Sequence, residues 1–317
     1  MGTVTLDDVR AAAERIRPFA HRTPVMTSAS LDRITGARLH FKCENFQRVG
    51  AFKFRGACNA VFSLTDGEAH RGVATHSSGN HAAALALAAR LRGVAAHVVM
   101  PRTSRAVKRA AVEGYGATVR LCEPTLAARE STLAELVRDT GAVVVHPYND
   151  HRVIAGQGTA ALELLAEVSD LDLVLAPVGG GGLLSGTAVT VTALSPGTRV
   201  IGTEPAAADD AMRSLRAGRI VPSVDPHTVA DGLLTSLGEL TFAIIRERVT
   251  DIVTVSEEAI VAAMRIVWER MKIVIEPSAA VPLAALLDGT LDAHGHRVGI
   301  IVSGGNVDLD ALPWAER

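Results

Sequence analysis

Lys53 lies in the stretch VGAFKFRGA (49–57), between two phenylalanines and two residues before an arginine. An amine in so apolar a setting has two readings. It is a surface lysine whose stem lies on a hydrophobic patch, or an amine kept there for its chemistry, with a pKa lowered by its surroundings. The stretch alone leaves both open. Gly179, Gly180, Gly181 and Gly182 follow a buried-strand pattern (171–178) and precede an apolar helix pattern. Glycines let backbone N–H groups close around an anion, and the helix N-terminus adds partial positive charge. That arrangement fits a phosphate. The dinucleotide template GxGxxG fails in every register, because Leu183, Leu184 or Ser185 stands where glycine is required. The P-loop template, begun at Gly181, finds Thr187 where lysine is needed. Glu204, at the end of the next strand pattern, keeps a degenerate dinucleotide site as a competing reading. A glycine-rich turn without a ligand is another.

Two more strand ends carry polar tips. THSSGNH (75–81) holds Ser77, Ser78, Gly79, Asn80 and His81. Serine and asparagine there cap a helix, and the same free N–H groups can bind a carboxylate instead. SGGN (303–306) ends the last strand pattern with Ser303. In GTEPAAADD (202–210), Glu204, Asp209 and Asp210 offer hard oxygens for Mg²⁺ or Ca²⁺. The competing reading there is a solvated helix start. His146, His151, His227, His294 and His296 show no metal spacing and read as surface or loop residues. No GxSxG elbow is present, which disfavours a serine hydrolase.

These tips need strands to present them. Thr5 can cap a first helix, with Asp7 and Asp8 in its first turn. Residues 37–44 alternate as a strand does. From residue 72 onward short apolar runs (72–76, 95–101, 117–121, 142–147) alternate with helical stretches (81–93, 104–116, 126–141). The alternation continues through a helix, the strand 171–178, a second helix, and the strands 198–205, 251–255 and 296–302. Ser256 starts the helix 256–271, but Ala259 is not the acid of a capping box. This rhythm predicts an α/β fold built on parallel sheets. The expected division is a large domain over 1–65 and 148–317 and a small α/β domain over 66–147. A single large sheet is the competing reading.

Composition sets the outer limits. The 317 residues are 48% hydrophobic and 21% charged, which suits a large globular core. A formal net charge of -2, with no basic block, disfavours nucleic acid and anionic membranes as partners. No run of apolar residues is long enough for a membrane helix, and the N-terminus lacks a signal-peptide core. Cys43, Cys58 and Cys122 have no CxxC spacing, so a reducing cytoplasm is the expected location. The expected partner is a small molecule.

An amine, a phosphate loop and a serine at a third strand tip would all be used by one cofactor, pyridoxal phosphate. It has an aldehyde, a phosphate and a ring nitrogen. The chain also resembles the fold-type II pyridoxal-phosphate enzymes, in the serine racemase and serine/threonine dehydratase group that includes threo-3-hydroxyaspartate dehydratases. GAFKFRGA, SSGNH, GGGGLLSG and SGGN stand in that family's order, with RTPV, VIAGQGT, VADGL and WERMKIVIEPSAA beside them. The resemblance covers nearly the whole chain and implies two α/β domains of the tryptophan synthase β-like type.

Residue by residue, it implies that Lys53 forms the imine with the cofactor and Phe52 packs on its ring. Asn80 would partner the ring hydroxyl, and Ser303 the pyridine nitrogen. Gly179 to Gly182, with Leu183, match the phosphate loop. Ser77, Gly79, Asn80 and His81 match the loop for the substrate carboxylate. Ser78 matches the residue that faces the opposite side of the cofactor in racemases. Glu204, the Ala208 carbonyl and Asp210 match a Mg²⁺ or Ca²⁺ site of the serine racemase branch. A homodimer is implied as well.

The implied reaction is dehydration of serine, threonine or 3-hydroxyaspartate to a 2-keto acid and ammonia. Racemisation is the alternative, and a non-catalytic amino-acid-binding module is the alternative from another class. Arg129 is a candidate for a second substrate carboxylate, against a plain surface charge on a helix. Ala51 stands where the family often has serine, and Ala82-Ala83 where Gly-Gln is common. The short stretch after SGGN leads us to expect no isoleucine-binding regulatory domain.

Overall fold

The computed structural model describes residues 3–315, except Ser78, Arg105 and the side chain of Val107. Ten strands are present among them: β1 (Val25–Met26), β2 (Arg38–Cys43), β3 (Val73–His76), β4 (Ala96–Pro101), β5 (Thr118–Cys122), β6 (Val143–Val144), β7 (Leu173–Pro177), β8 (Arg199–Pro205), β9 (Asp251–Val255) and β10 (Arg297–Val302). They form two sheets rather than one. The larger runs β1-β2-β10-β7-β8-β9 and the smaller β5-β4-β3-β6. Every pairing is parallel except β1 with β2. Parallel strands need crossover helices, and the alternation of short apolar runs with longer helical stretches supplies them. The α/β fold with parallel sheets therefore stands as read from the sequence. The Thr5 cap also forms, as a capping box with Asp8.

Two of the helices that escape the sequence pattern bear on the site. Lys53–Phe62 is a helix whose glycine, Gly56, is there for packing and not for a break. A Cβ on Gly56 would lie 2.8 Å from the Val153 carbonyl, and one on Gly156 only 2.6 Å from the Arg55 carbonyl. The helix His151–Glu167 thus crosses Lys53–Phe62 backbone to backbone. It meets Gly182–Leu194 equally closely, since a Cβ on Gly186 would reach the Ile154 carbonyl at 2.5 Å. The second helix, Pro277–Leu287, has Pro277 in its first turn, where a missing N–H costs nothing, and carries Pro282 inside.

Beneath the helix that begins at Lys53 lies a buried charge network. Arg55 is fully buried and donates to both oxygens of Glu44, at 2.6 and 2.8 Å. It also donates to both oxygens of Glu163, at 2.8 Å each. Lys42, buried within β2, pairs with Glu163 at 2.6 Å. The network joins β2 to the helices Lys53–Phe62 and His151–Glu167. No helix among the described residues is long and apolar enough to cross a membrane.

Candidate active site

Lys53 opens its helix because the two residues before it are tied to the end of β10. Ala51 bridges Gly304, and the Phe52 N–H donates to the Ser303 carbonyl at 2.9 Å. Lys53 and Ser303 are thereby neighbours, although 250 residues apart in sequence by subtraction of their numbers. The Lys53 amine donates to the Pro147 carbonyl at 2.9 Å and sits 5.1 Å from the Phe52 ring centre. Some of its surface stays open, yet it lies deep enough that desolvation lowers its pKa to about 8, against the opposing pull of Glu276. It is an amine that can be neutral close to physiological pH.

The four glycines follow β7 into the helix Gly182–Leu194. Gly181 has φ +87, a conformation that suits glycine. A Cβ on Gly180 would meet the Tyr148 ring at 2.3 Å, and one on Gly179 would meet Leu233 Cα at 2.9 Å. No side chain fits in this loop, so backbone lines it. The Thr241 hydroxyl fixes the Gly180 carbonyl at 2.8 Å. Leu183, in the first turn of the helix, is buried. First-turn N–H groups have no carbonyl partner within a helix, so the loop is suited to a phosphate.

The loop after β3 is held by the Ser77 N–H on Val99 O, at 3.1 Å, and the Gly79 N–H on Ser77 Oγ, at 3.3 Å. Ser78 lies outside the described residues. Asn80 starts the helix Asn80–Arg92, and its amide donates to both oxygens of Glu276, at 3.0 and 3.1 Å. Its oxygen accepts from Asn306 at 2.9 Å. Glu276 is a site residue that motif reading missed. It is 4% exposed, its N–H donates to Gly304 O, and burial pushes its pKa up to about 7. The available signal was a single acid inside an otherwise apolar run, VIEPSAAVPLAALL. The His81 side chain turns toward the small sheet, with Nε2 3.2 Å from the Val145 carbonyl. Arg129, half-buried in the helix Leu126–Thr140, lies near His76 at the end of β3, whose pKa is lowered first by burial and then by the Arg129 charge. The Arg129 Nε is buried without a hydrogen-bond partner among the described residues.

Glu204 stands at the end of β8, 1% exposed, and is not a solvated helix start. Its oxygens accept the Ala211 and Met212 N–H groups at 3.2 and 2.7 Å, and burial pushes its pKa up to about 8. Asp210, also buried, is pushed up to about 6, and its Oδ2 has no partner among the described residues. Ala208 is buried in the short turn between them. No three His, Cys, Asp or Glu side chains converge on a metal position among the described residues. A cation here would need backbone carbonyl or water oxygens beside the two carboxylates.

Residues 16–304 match the family profile described as "Pyridoxal-phosphate dependent enzyme". The chain belongs to that family. The beta-hydroxyaspartate dehydratase of Paracoccus denitrificans is 55% identical over 310 residues, 98% of each chain. The L-threo-3-hydroxyaspartate ammonia-lyase of Saccharomyces cerevisiae is 49% identical over 306 residues, 96% of this chain and 94% of that one. The crystal structure of serine racemase from Dictyostelium discoideum superposes with a TM-score of 0.94 at 50% identity, covering 97% of this chain and 100% of that one. The pyridoxal-phosphate enzyme described here is accordingly of fold type II, as its motif order implied. Its residues fit the cofactor on their own geometry: a lysine with a depressed pKa, a loop lined by backbone, and a serine beside the lysine.

Proposed function

We propose that this enzyme removes water from a β-hydroxy amino acid to give a 2-keto acid and ammonia, with 3-hydroxyaspartate as its preferred substrate. The observation that carries the reading is the meeting of Lys53, Gly179 to Gly182 and Ser303 around one edge of the large sheet. Bound pyridoxal phosphate supplies an electron sink for the Cα–H bond electrons. Lys53 would anchor the cofactor aldehyde, and its neutral amine would take the Cα proton. The glycine loop and the Leu183 N–H would hold the phosphate, Phe52 would pack on the ring, and Ser303 would meet the ring nitrogen. The loop from Ser77 through Gly79 to His81 would orient the substrate carboxylate through the Ser77 hydroxyl and the Asn80 and His81 N–H groups at the start of their helix. The proton taken from Cα would be passed back to the departing β-hydroxyl, which leaves as water, and the released enamine would tautomerise to an imine and take up a water to give the keto acid and ammonia.

The preference for 3-hydroxyaspartate is supported by the two relatives named for that activity, at 55% and 49% identity. Arg129, beside His76, is our candidate for the second carboxylate. Serine racemisation is the second reading, favoured by 50% identity to a serine racemase, and Ser78 is the residue it depends on. An assay of L-serine, L-threonine and L-threo-3-hydroxyaspartate, scoring both keto acid and D-amino acid, separates the two. We expect keto acid, fastest from 3-hydroxyaspartate. D-serine forming with no keto acid from any substrate would overturn the dehydratase reading.

Glu204, Asp210 and the Ala208 carbonyl are our candidates for holding a divalent cation, on the strength of two buried carboxylates and the orphan Asp210 oxygen. Chelation is expected to lower the melting temperature by several degrees, and Mg²⁺ or Ca²⁺ to restore it. In Glu204→Gln neither addition should move it. A wild-type melting curve indifferent to chelator and cation would rule the site out. We also propose a homodimer, in line with the family resemblance.

A further inference from the structure

The chain passes from the small sheet to the large one through residues 145–150, and the carbonyl that takes the Lys53 amine belongs to this crossover. Contacts within the turn and on both sides of it hold that carbonyl in place. His146 Nδ1 accepts the Tyr148 and Asn149 N–H groups, at 3.3 and 3.0 Å, and so closes a tight turn over Pro147. A ring nitrogen accepting from amides carries no proton, which places the proton of the neutral ring on Nε2. On the near side, His81 Nε2 meets the Val145 carbonyl at 3.2 Å, and a carbonyl can only accept, so Nε2 donates. On the far side the Tyr148 ring lies against Gly180, its Cβ and backbone lie against Gly182, and Asn149 Oδ1 takes the Leu240 N–H at 3.0 Å. Burial keeps both histidines neutral: His146 is brought down to about 4, and His81 well below its usual value.

A lysine that anchors pyridoxal phosphate becomes a free amine each time a substrate amine displaces it. We propose that the His146 turn is the seat of that free amine: the Pro147 carbonyl receives it whenever it is not bonded to the cofactor, and His81 and His146 are positioning residues that fix the carbonyl. The inference rests on the reading of Lys53 as the cofactor lysine and base. A backbone carbonyl suits the task. It accepts an N–H from either protonation state and adds no full negative charge, whereas a carboxylate there would hold the amine charged. Among the described residues the carboxylate that bears on Lys53 is Glu276; His81 and His146 face it as neutral rings.

The test uses holoenzyme and glycine, an amino acid with no β-hydroxyl to lose. Titration followed by visible absorbance reads the displacement of Lys53 directly. Removing the seat penalises the displaced state. In His146→Phe, which keeps the ring contacts but not the acceptor, half-saturation should need about tenfold more glycine, the loss of one hydrogen bond. Turnover of 3-hydroxyaspartate should fall by about tenfold in kcat, since the misplaced group is the base. His146→Asn, whose side-chain oxygen can accept the same two N–H groups, should recover most of both. His81→Met and His81→Gln form a parallel pair, because glutamine keeps a donor for Val145. If His146→Phe does not fold, the His81 pair decides. Equal glycine midpoints in wild type and the disruptive variant, or no difference between disruptive and conservative variants, overturns the proposal. Failure of the underlying reading looks different: wild type would then show no absorbance change with glycine at all.

Discussion

Lys53→Ala should abolish the visible absorbance of bound pyridoxal phosphate and cost about 10⁴-fold or more in kcat/KM, because it removes both the anchoring amine and the base. The fold should survive. Lys53 occupies the first position of its helix, its amine bonds one backbone carbonyl, and alanine is a good residue for a helix. A melting temperature within a few degrees of wild type would therefore accompany the lost activity. Lys53→Arg should fare no better, since a guanidinium stays protonated and cannot serve as a neutral base. Absorbance and turnover that persisted in Lys53→Ala would move the chemistry to another residue.

Arg55→Leu should be the most damaging single change to stability, at about 3–5 kcal/mol. Arginine supplies the fork that satisfies Glu44 and Glu163 together, and Glu44 is fully buried. Leucine would strand Glu44 without its cation, and Lys42 alone would face Glu163. Removal of one partner leaves an uncompensated charge, which is far worse than replacing the whole set by apolar side chains. A chain of this size should lose on the order of 10 °C in melting temperature. Arg55→Leu combined with Glu44→Leu should recover part of that loss. A single variant melting within 2–3 °C of wild type, a shift worth only about 1 kcal/mol, would mean that the network is not the support it looks to be.

What could be read from sequence follows the physics of each feature. The glycine loop was legible because a strand, four residues without side chains and a helix make a local pattern. The strand tips were legible for the same reason: a parallel sheet places successive loops at one edge. Glu276 was not, since its meaning lies in Asn80, nearly two hundred residues earlier, and in the Gly304 backbone. The helix from Lys53 was hidden by Gly56, a residue type that usually interrupts a helical pattern and that the fold uses here for a helix crossing. His146 reads as one of several scattered histidines until its Nδ1 is seen to fold the turn beside it. The strand expected over 142–147 shrinks to β6 at Val143–Val144, because the residues that follow leave the ladder to build that turn.

The glycine crossings of the helix His151–Glu167 have a consequence for catalytic tolerance. Its backbone touches the helix that carries Lys53 on one side and the helix that begins at the glycine loop on the other. The thickness of that middle helix, stripped of side chains at Gly156 and Gly158, is therefore the spacer between amine and phosphate cradle. A single methyl group at either position would lengthen the spacer. Reacting atoms need placement to well within an ångström, so a residue that never meets the substrate sets the gauge of the site.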